Sequence, residues 1–365
     1  MSGERADKLA ALAAEEGLDQ LIVGDLVRPG DSGPDAIANI RWLTGFTGTS
    51  GLALVGKDVR DFITDFRYTE RAEREVDPTF ERVIAVQRIV PELVSRLRGK
   101  VGYDDALTSV ASLRRIEQSA DPSVELVAVT GLPERLRRTK DEGEQEAIAA
   151  AARVADRAYE FVIEQGFRGR TERELARLAE GKMRELGAEP SFPTIVASGP
   201  NGALPHAEPS DRVVEDGDLV VFDMGAKLEG YCSDCTRTFA VGKISAEARE
   251  AYELVRTAQQ AGLDAIRAGV GGAEADEAAR KVIRDAGMGD RFGHGLGHGV
   301  GLEVHEAPRL GQKSEDTLEA GNVVSVEPGV YIPGEFGIRI EDLVVVTEDG
   351  HRNLSGVPKE LTVVE

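Results

Sequence analysis

Residues 220–239 read VVFDMGAKLEGYCSDCTRTF. Two apolar, β-prone runs flank AKLEG, the pattern of a β-hairpin. With Asp223 opposite Asp234, the pairing sets Met224 against Ser233, Gly225 against Cys232 and Ala226 against Tyr231, and KLEG closes it as a four-residue loop. Cross-strand partners lie roughly 4.5–5.5 Å apart on one face. Two buried carboxylates that close cannot both stay ionised without a counter-charge, and a metal cation supplies one. The same stretch holds a Cys-x-x-Cys pair, Cys232 and Cys235, which invites a thiol reading. Residues three apart on a strand point to opposite faces, so the two sulfurs cannot share one ion or readily form a disulfide. The aspartate between them carries the chemistry.

The stretch has a second copy. EDGDLVVFDMG (215–225) aligns without a gap with EAGNVVSVEPG (319–329), matching Gly217 to Gly321 and Asp223 to Glu327. His-x-x-Pro precedes each, at His206 and His305, and further upstream TERELARLAEGKMRELG (171–187) resembles AEADEAARKVIRDAG (273–287). Chance likeness between two amphipathic helices would not reproduce histidines, glycines and carboxylates in one order. A duplicated unit of this kind predicts an α+β domain with a pseudo-two-fold repeat. Between the copies lies GHGLGHGVG (293–301), whose glycines exclude a stable helix and with it a helical His-Glu-x-x-His site. Read as an extended segment, it places His294, Leu296, His298 and Val300 on one face. GIRIEDLVVV (337–346) likewise sets Arg339 and Glu341 on one face of a strand. A surface ion pair is the plain alternative for those two, and the apolar surroundings weigh against it. Of the five histidines only His351 lies outside these segments.

The first third of the chain has a different character. A helix over Arg5–Glu16 leads to the apolar run LDQLIVGD, then to SGLALVG and RDFITDF; a helix from Arg67 and three further apolar runs (FERVIAV, KVGYDD, VELVAVT) alternate with helices near VPELVSRL and SVASLRRIEQSA. That alternation predicts an α/β domain over residues 1–131. TGLPERLRRTKDEGE reads as the hinge into a long helix, roughly 141–165, and residues 132–365 form the second domain. A net charge of −21 opposes general nucleic-acid binding, which rests on neutralising phosphates. No Walker or dinucleotide fingerprint occurs. No apolar run approaches membrane-spanning length, and the N-terminus lacks a secretion signal's apolar core, so the expected location is the cytoplasm, away from membranes. Two cysteines make no disulfide framework.

At this point the motifs resemble those of the pita-bread metallopeptidases: methionine aminopeptidase, prolidase, Xaa-Pro aminopeptidase and creatinase. FDMGAKLEGYCSDCTRTF, GHGLGHGVGLEVHE, VVSVEPGVY and GIRIEDLVVV are similar to the family's metal-site segments in order, and LPHAEPSD to another active-site segment. NIRWLTGFTGTSG and TDFRYTERAERE resemble the N-terminal domain of its creatinase and Xaa-Pro branch. The resemblance implies a pita-bread catalytic domain with five metal ligands, Asp223, Asp234, His298, Glu327 and Glu341, of which Asp234 and Glu341 bridge two divalent ions. Such a set favours manganese or cobalt over a thiolate-loving ion, with zinc or iron as alternatives. It further implies that His206 and His305 stabilise the oxyanion, that Glu327 shuttles a proton, that His294 lines the substrate pocket and that Arg339 orders the site. The implied activity is hydrolysis at a proline: an Xaa-Pro aminopeptidase acting on proline-containing peptides, with an Xaa-Pro dipeptidase (prolidase) as the alternative and a homodimer as the assembly. The aminopeptidase is preferred because no group reserved for a dipeptide's carboxylate is identifiable. A creatinase-type amidinohydrolase and an inactive peptide-binding homologue are disfavoured, since all five ligand types are present.

Overall fold

In the computed structural model, which describes residues 2–27, 37–86 and 88–365, the strand Leu219–Met224 runs antiparallel to Cys235–Val241. The hairpin exists, but its register differs from the expected one by two residues. Thr236, not Asp234, lies opposite Asp223, and Leu228 lies opposite Tyr231. The reversal is a two-residue turn at Glu229 and Gly230, both at positive φ (46° and 81°), the primed geometry that matches strand twist. KLEG is therefore not a four-residue loop, because Lys227 and Leu228 are still paired. A slip of two leaves every side chain on its original face, so Asp223 and Asp234 still point the same way. Ser233 and Asp234 lie outside both strands, where a side chain at Gly225 would collide with the Ser233 carbonyl oxygen.

Two compact units divide the chain, Met1–Arg137 and Arg138–Glu365. In the first, six strands lie in the order Glu81–Ala85, Val59–Asp65, Leu52–Gly56, Gln20–Val23, Lys100–Asp104, Glu125–Val129. All are parallel except Leu52–Gly56, which is antiparallel to both neighbours. The strands and helices named from the sequence all occur. The sequence reading lacked the helix Ala38–Thr44 and a short helix, Leu132–Arg137, inside the segment read as a hinge.

The second unit shows the repeat directly. Its first half packs the helices Glu142–Gln165 and Glu172–Glu185 on a sheet ordered Val363–Val364, Cys235–Val241, Leu219–Met224, Ile195–Ser198. Its second half packs Ala246–Ala265 and Gly272–Asp285 on a sheet ordered Glu306–Leu310, Gly297–Gly299, Val323–Val326, Asp342–Val346, His351–Asn353. Both helices of the first half start at capping boxes, Asp141 with Glu144 and Thr171 with Glu174, each cap contributing about 1 kcal/mol. Gly217 and Gly321, matched in sequence, share a left-handed backbone (φ 93° and 91°) just before equivalent strands. The first half buries Tyr159, Phe167, Phe222 and Phe239 as a ring cluster; the second closes over Val255, Leu296 and Val326.

The extended reading of 293–301 holds only in part. The strand covers Gly297–Gly299 with an irregular register, so Leu296 and Val300 enter two separate cores instead of one face. The segment 337–346 is likewise two strands, broken at Ile340 and Glu341. Among the described residues no helix is long and apolar enough to cross a membrane.

Candidate metal centre

Asp223 is the last residue but one of its strand, Asp234 sits at the irregular step before the next, and Glu341 occupies the break between two strands of the other half. All three are buried, and one carboxylate oxygen from each lies within 4.8 Å of the others. His298 and Glu327 adjoin them, with His298 Nε2 3.2 Å from Glu327 Oε1 and 3.6 Å from Asp234 Oδ2. The ring's Nδ1 faces the Gly299 carbonyl at 3.1 Å, which keeps a proton on Nδ1 and turns Nε2 toward the carboxylates. Gly297 permits this approach, since a side chain there would strike Ser325.

The electrostatics identify what the cluster lacks. Four carboxylates share one buried guanidinium, Arg339, whose Nη2 donates to Asp223 Oδ2 at 2.6 Å. Burial, followed by mutual repulsion with Glu341 and Asp223, pushes Asp234 well above the usual carboxylate range, and Glu341 rises for the same reasons. Burial also raises Asp223, against the pull of Arg339. Burial acts upward on Glu327 too, but in the metal-free cluster the hydrogen bond and charge of a protonated His298 outweigh it and hold Glu327 at about 2; a bound cation would take the place of that Nε2 proton. Asp223 Oδ1 and Glu341 Oε1 are buried with no hydrogen-bond partner. Orphaned carboxylate oxygens and an imidazole lone pair converging on one space are what a divalent cation satisfies, so these residues fit a metal.

A cavity of about 580 Å³ opens beside them. His206, His294, His298, His305, Arg339 and the four carboxylates all line it, so every site residue named from the sequence comes together there. His298 and His305 meet edge to face, ring centres 4.4 Å apart. Burial and the neighbouring His298 hold His305 down at about 4, which leaves it neutral near pH 7. His294 Nδ1 donates to the Gly295 carbonyl, and its Nε2 meets the Tyr331 hydroxyl at 2.9 Å. That hydroxyl in turn accepts from Arg339 Nη1, and Arg339 Nε donates to Thr236 Oγ1. A larger groove, about 1260 Å³, lies in the first unit and contains none of these residues.

Three contributors escaped the sequence reading. Thr236 donates to Glu341 Oε2 at 2.8 Å, and its period-two spacing from Asp234 was a usable signal. Tyr331 and Arg309 gave no such signal, although Arg309 follows the second His-x-x-Pro immediately.

The cysteines part as expected. Cys232 packs with Ile148 and Val323, whereas Cys235 packs in the Tyr159 core with its thiol pushed up by burial. Changing Cys232 to serine and Cys235 to valine together should therefore preserve metal content and most activity. Loss of metal from that folded variant would make a sulfur a ligand.

Two family models match the chain: metallopeptidase family M24 over residues 146–348 and the creatinase/prolidase N-terminal domain over residues 5–139. An Xaa-Pro dipeptidase from Pyrococcus furiosus is 35% identical across 98% of this chain and 99% of its own length. Among solved structures, an Xaa-Pro dipeptidase from Bacillus anthracis superposes with a TM-score of 0.94 at 38% identity, covering both chains fully. An X-Pro aminopeptidase from Thermotoga maritima follows at 0.89 and 37%, covering 97% of this chain and all of its own.

Proposed function

The chain belongs to metallopeptidase family M24, and from that premise we propose that this metallo-exopeptidase is an Xaa-Pro dipeptidase. The observation that carries the choice is Arg309. Two cationic side chains line the cavity, Arg309 and Arg339. Arg339 is committed to Asp223, Tyr331 and Thr236, while among the described residues the Arg309 guanidinium makes no ion pair. A dipeptide presents a free carboxylate one residue beyond the scissile bond; a longer peptide presents an amide there. A guanidinium lining the same cavity favours the carboxylate. This reverses the preference reached from sequence, where no such group was identified, and it agrees with the Xaa-Pro dipeptidase or prolidase names of several relatives and solved structures.

Asp223, Asp234, His298, Glu327 and Glu341 would hold the metal. Divalent ions bound there would supply a polarised scissile carbonyl and a water of lowered pKa. Neutral His305, with His206 opposite it in the repeat, donates to the carbonyl oxygen as charge develops. Glu327, ionised, accepts a proton and returns it to the proline nitrogen, which leaves as a secondary amine. Arg339 keeps Asp223 and Tyr331 in place, and Tyr331 orients His294 as a wall of the pocket.

Arg309→Met tests this reading. It should raise KM for an Xaa-Pro dipeptide by roughly 10–100-fold, the loss of one charge-assisted contact. The amide of the same dipeptide should be affected little. If an Xaa-Pro-Yaa tripeptide were the better substrate, and the variant slowed both alike, the aminopeptidase reading would stand instead.

A further inference from the structure

His206 sits on the segment between the strand Ile195–Ser198 and Val213, a run with little regular structure of its own. Its tip is braced by Arg339, whose Nη1 reaches the Pro205 carbonyl at 3.3 Å. Its two ends converge on one side chain. Glu172, first residue of the helix Glu172–Glu185, is 0% exposed, far from the usual fate of a glutamate. One of its oxygens accepts from Ser198 N (2.7 Å) and Oγ (2.8 Å), the other from Ser210 N (3.0 Å) and Oγ (2.6 Å). Asn201 Nδ2 adds a contact of 3.1 Å to each oxygen. Burial alone would push this carboxyl up, yet the donors from Ser210 and Ser198 hold it below the usual range.

We propose that Glu172 is a positioning residue for His206: its buried carboxylate pins both ends of the loop and so fixes where the imidazole stands. The arrangement is more than an ordinary helix cap, since Thr171 already caps this helix through Glu174 and Glu172 spends its whole side chain on the loop. The second half meets the same need by other means. There Asp276, also 0% exposed, accepts from Leu296 N at 3.0 Å, while its partner Arg280 donates to the His294 carbonyl at 2.6 Å. In each half the second helix thus sends one buried carboxylate to the loop bearing a cavity histidine.

The inference rests on the role proposed for His206, and a double-mutant cycle separates the two. Glu172→Gln keeps the shape but turns amide hydrogens toward Ser198 or Ser210, so kcat for an Xaa-Pro dipeptide should fall about 10–100-fold with KM and metal content unchanged. His206→Ala should cost about 10²–10³ in kcat. Combined, the two should cost no more than about twofold beyond His206→Ala alone, because the clamp acts only through that ring. Full multiplication of the two losses, or an unimpaired Glu172→Gln enzyme, overturns the clamp. Full activity in His206→Ala overturns the histidine's role instead. Should Glu172→Gln fail to fold, Ser210→Ala, which removes the 2.6 Å contact and leaves the carboxylate, runs through the same cycle and is judged by the same non-additivity.

Discussion

Replacing Glu341 by glutamine should lower peptide hydrolysis by about 10³-fold or more, a loss of several kcal/mol of transition-state stabilisation. Elemental analysis should show the metal content falling from about two ions per chain. Glu341 is 1% exposed; one of its carboxylate oxygens accepts from Thr236 Oγ1, and the other has no protein partner. A neutral amide there weakens the hold on any cation facing that orphaned oxygen. The same change carries a second expectation of opposite sign. In excess chelator the buried carboxylates repel one another with only Arg339 to offset them, so the metal-free variant should melt at or above the metal-free parent. A variant that kept its metal and its rate would remove Glu341 from the ligand set.

Arg237→Met should be costly through the fold instead of the chemistry. Arg237 is 1% exposed and pairs with Asp342 Oδ1 at 2.8 Å. Its remaining N–H groups serve the carbonyls of Thr236, Val357, Pro358 and Glu341. Methionine fills the space and leaves those acceptors and a buried aspartate short of a partner. Breaking one side of a buried pair costs about 3–5 kcal/mol, or roughly 6–20 °C in melting temperature for a unit of this size. Lys359 and Gln259 still reach Asp342, at 2.7 and 3.0 Å, which favours the lower end. A midpoint within a degree or two of the parent would show that these contacts contribute little. Because Arg237 holds the Glu341 backbone, some loss of metal affinity should accompany the loss of stability.

The repeat was legible because it is a pattern of rare residues. Two His-x-x-Pro motifs and two glycines before carboxylate-ended strands stand out in a chain with five histidines. The hairpin register was less accessible. Alternation assigns Asp223 and Asp234 to one face in either of two registers, and only the backbone at Glu229 and Gly230 distinguishes a two-residue turn from a longer loop. The residues that support the site were harder still. Glu172 reads locally as an unremarkable acidic residue in the first turn of a helix, and Tyr331 as a strand tyrosine. Their roles arise from contacts with segments tens of residues away, which no local spacing encodes. Arg309 belongs to the same class: an arginine on a short strand acquires meaning only from the cavity it borders.

The two halves share the candidate carboxylate ligands equally, and the second half adds the imidazole of His298. Asp223 and Asp234 come from the first repeat, Glu327 and Glu341 from the second, and the two sets meet across the pseudo-two-fold. A chain with one repeat would own half a coordination shell. It could complete that shell only by associating with its own copy about the same axis, as symmetric dimers do. Joining two repeats in one polypeptide makes the site independent of protein concentration. It also frees each half to diverge, which is visible where Asp223 faces Glu327 and where Glu172 and Asp276 hold their loops from different turns of equivalent helices.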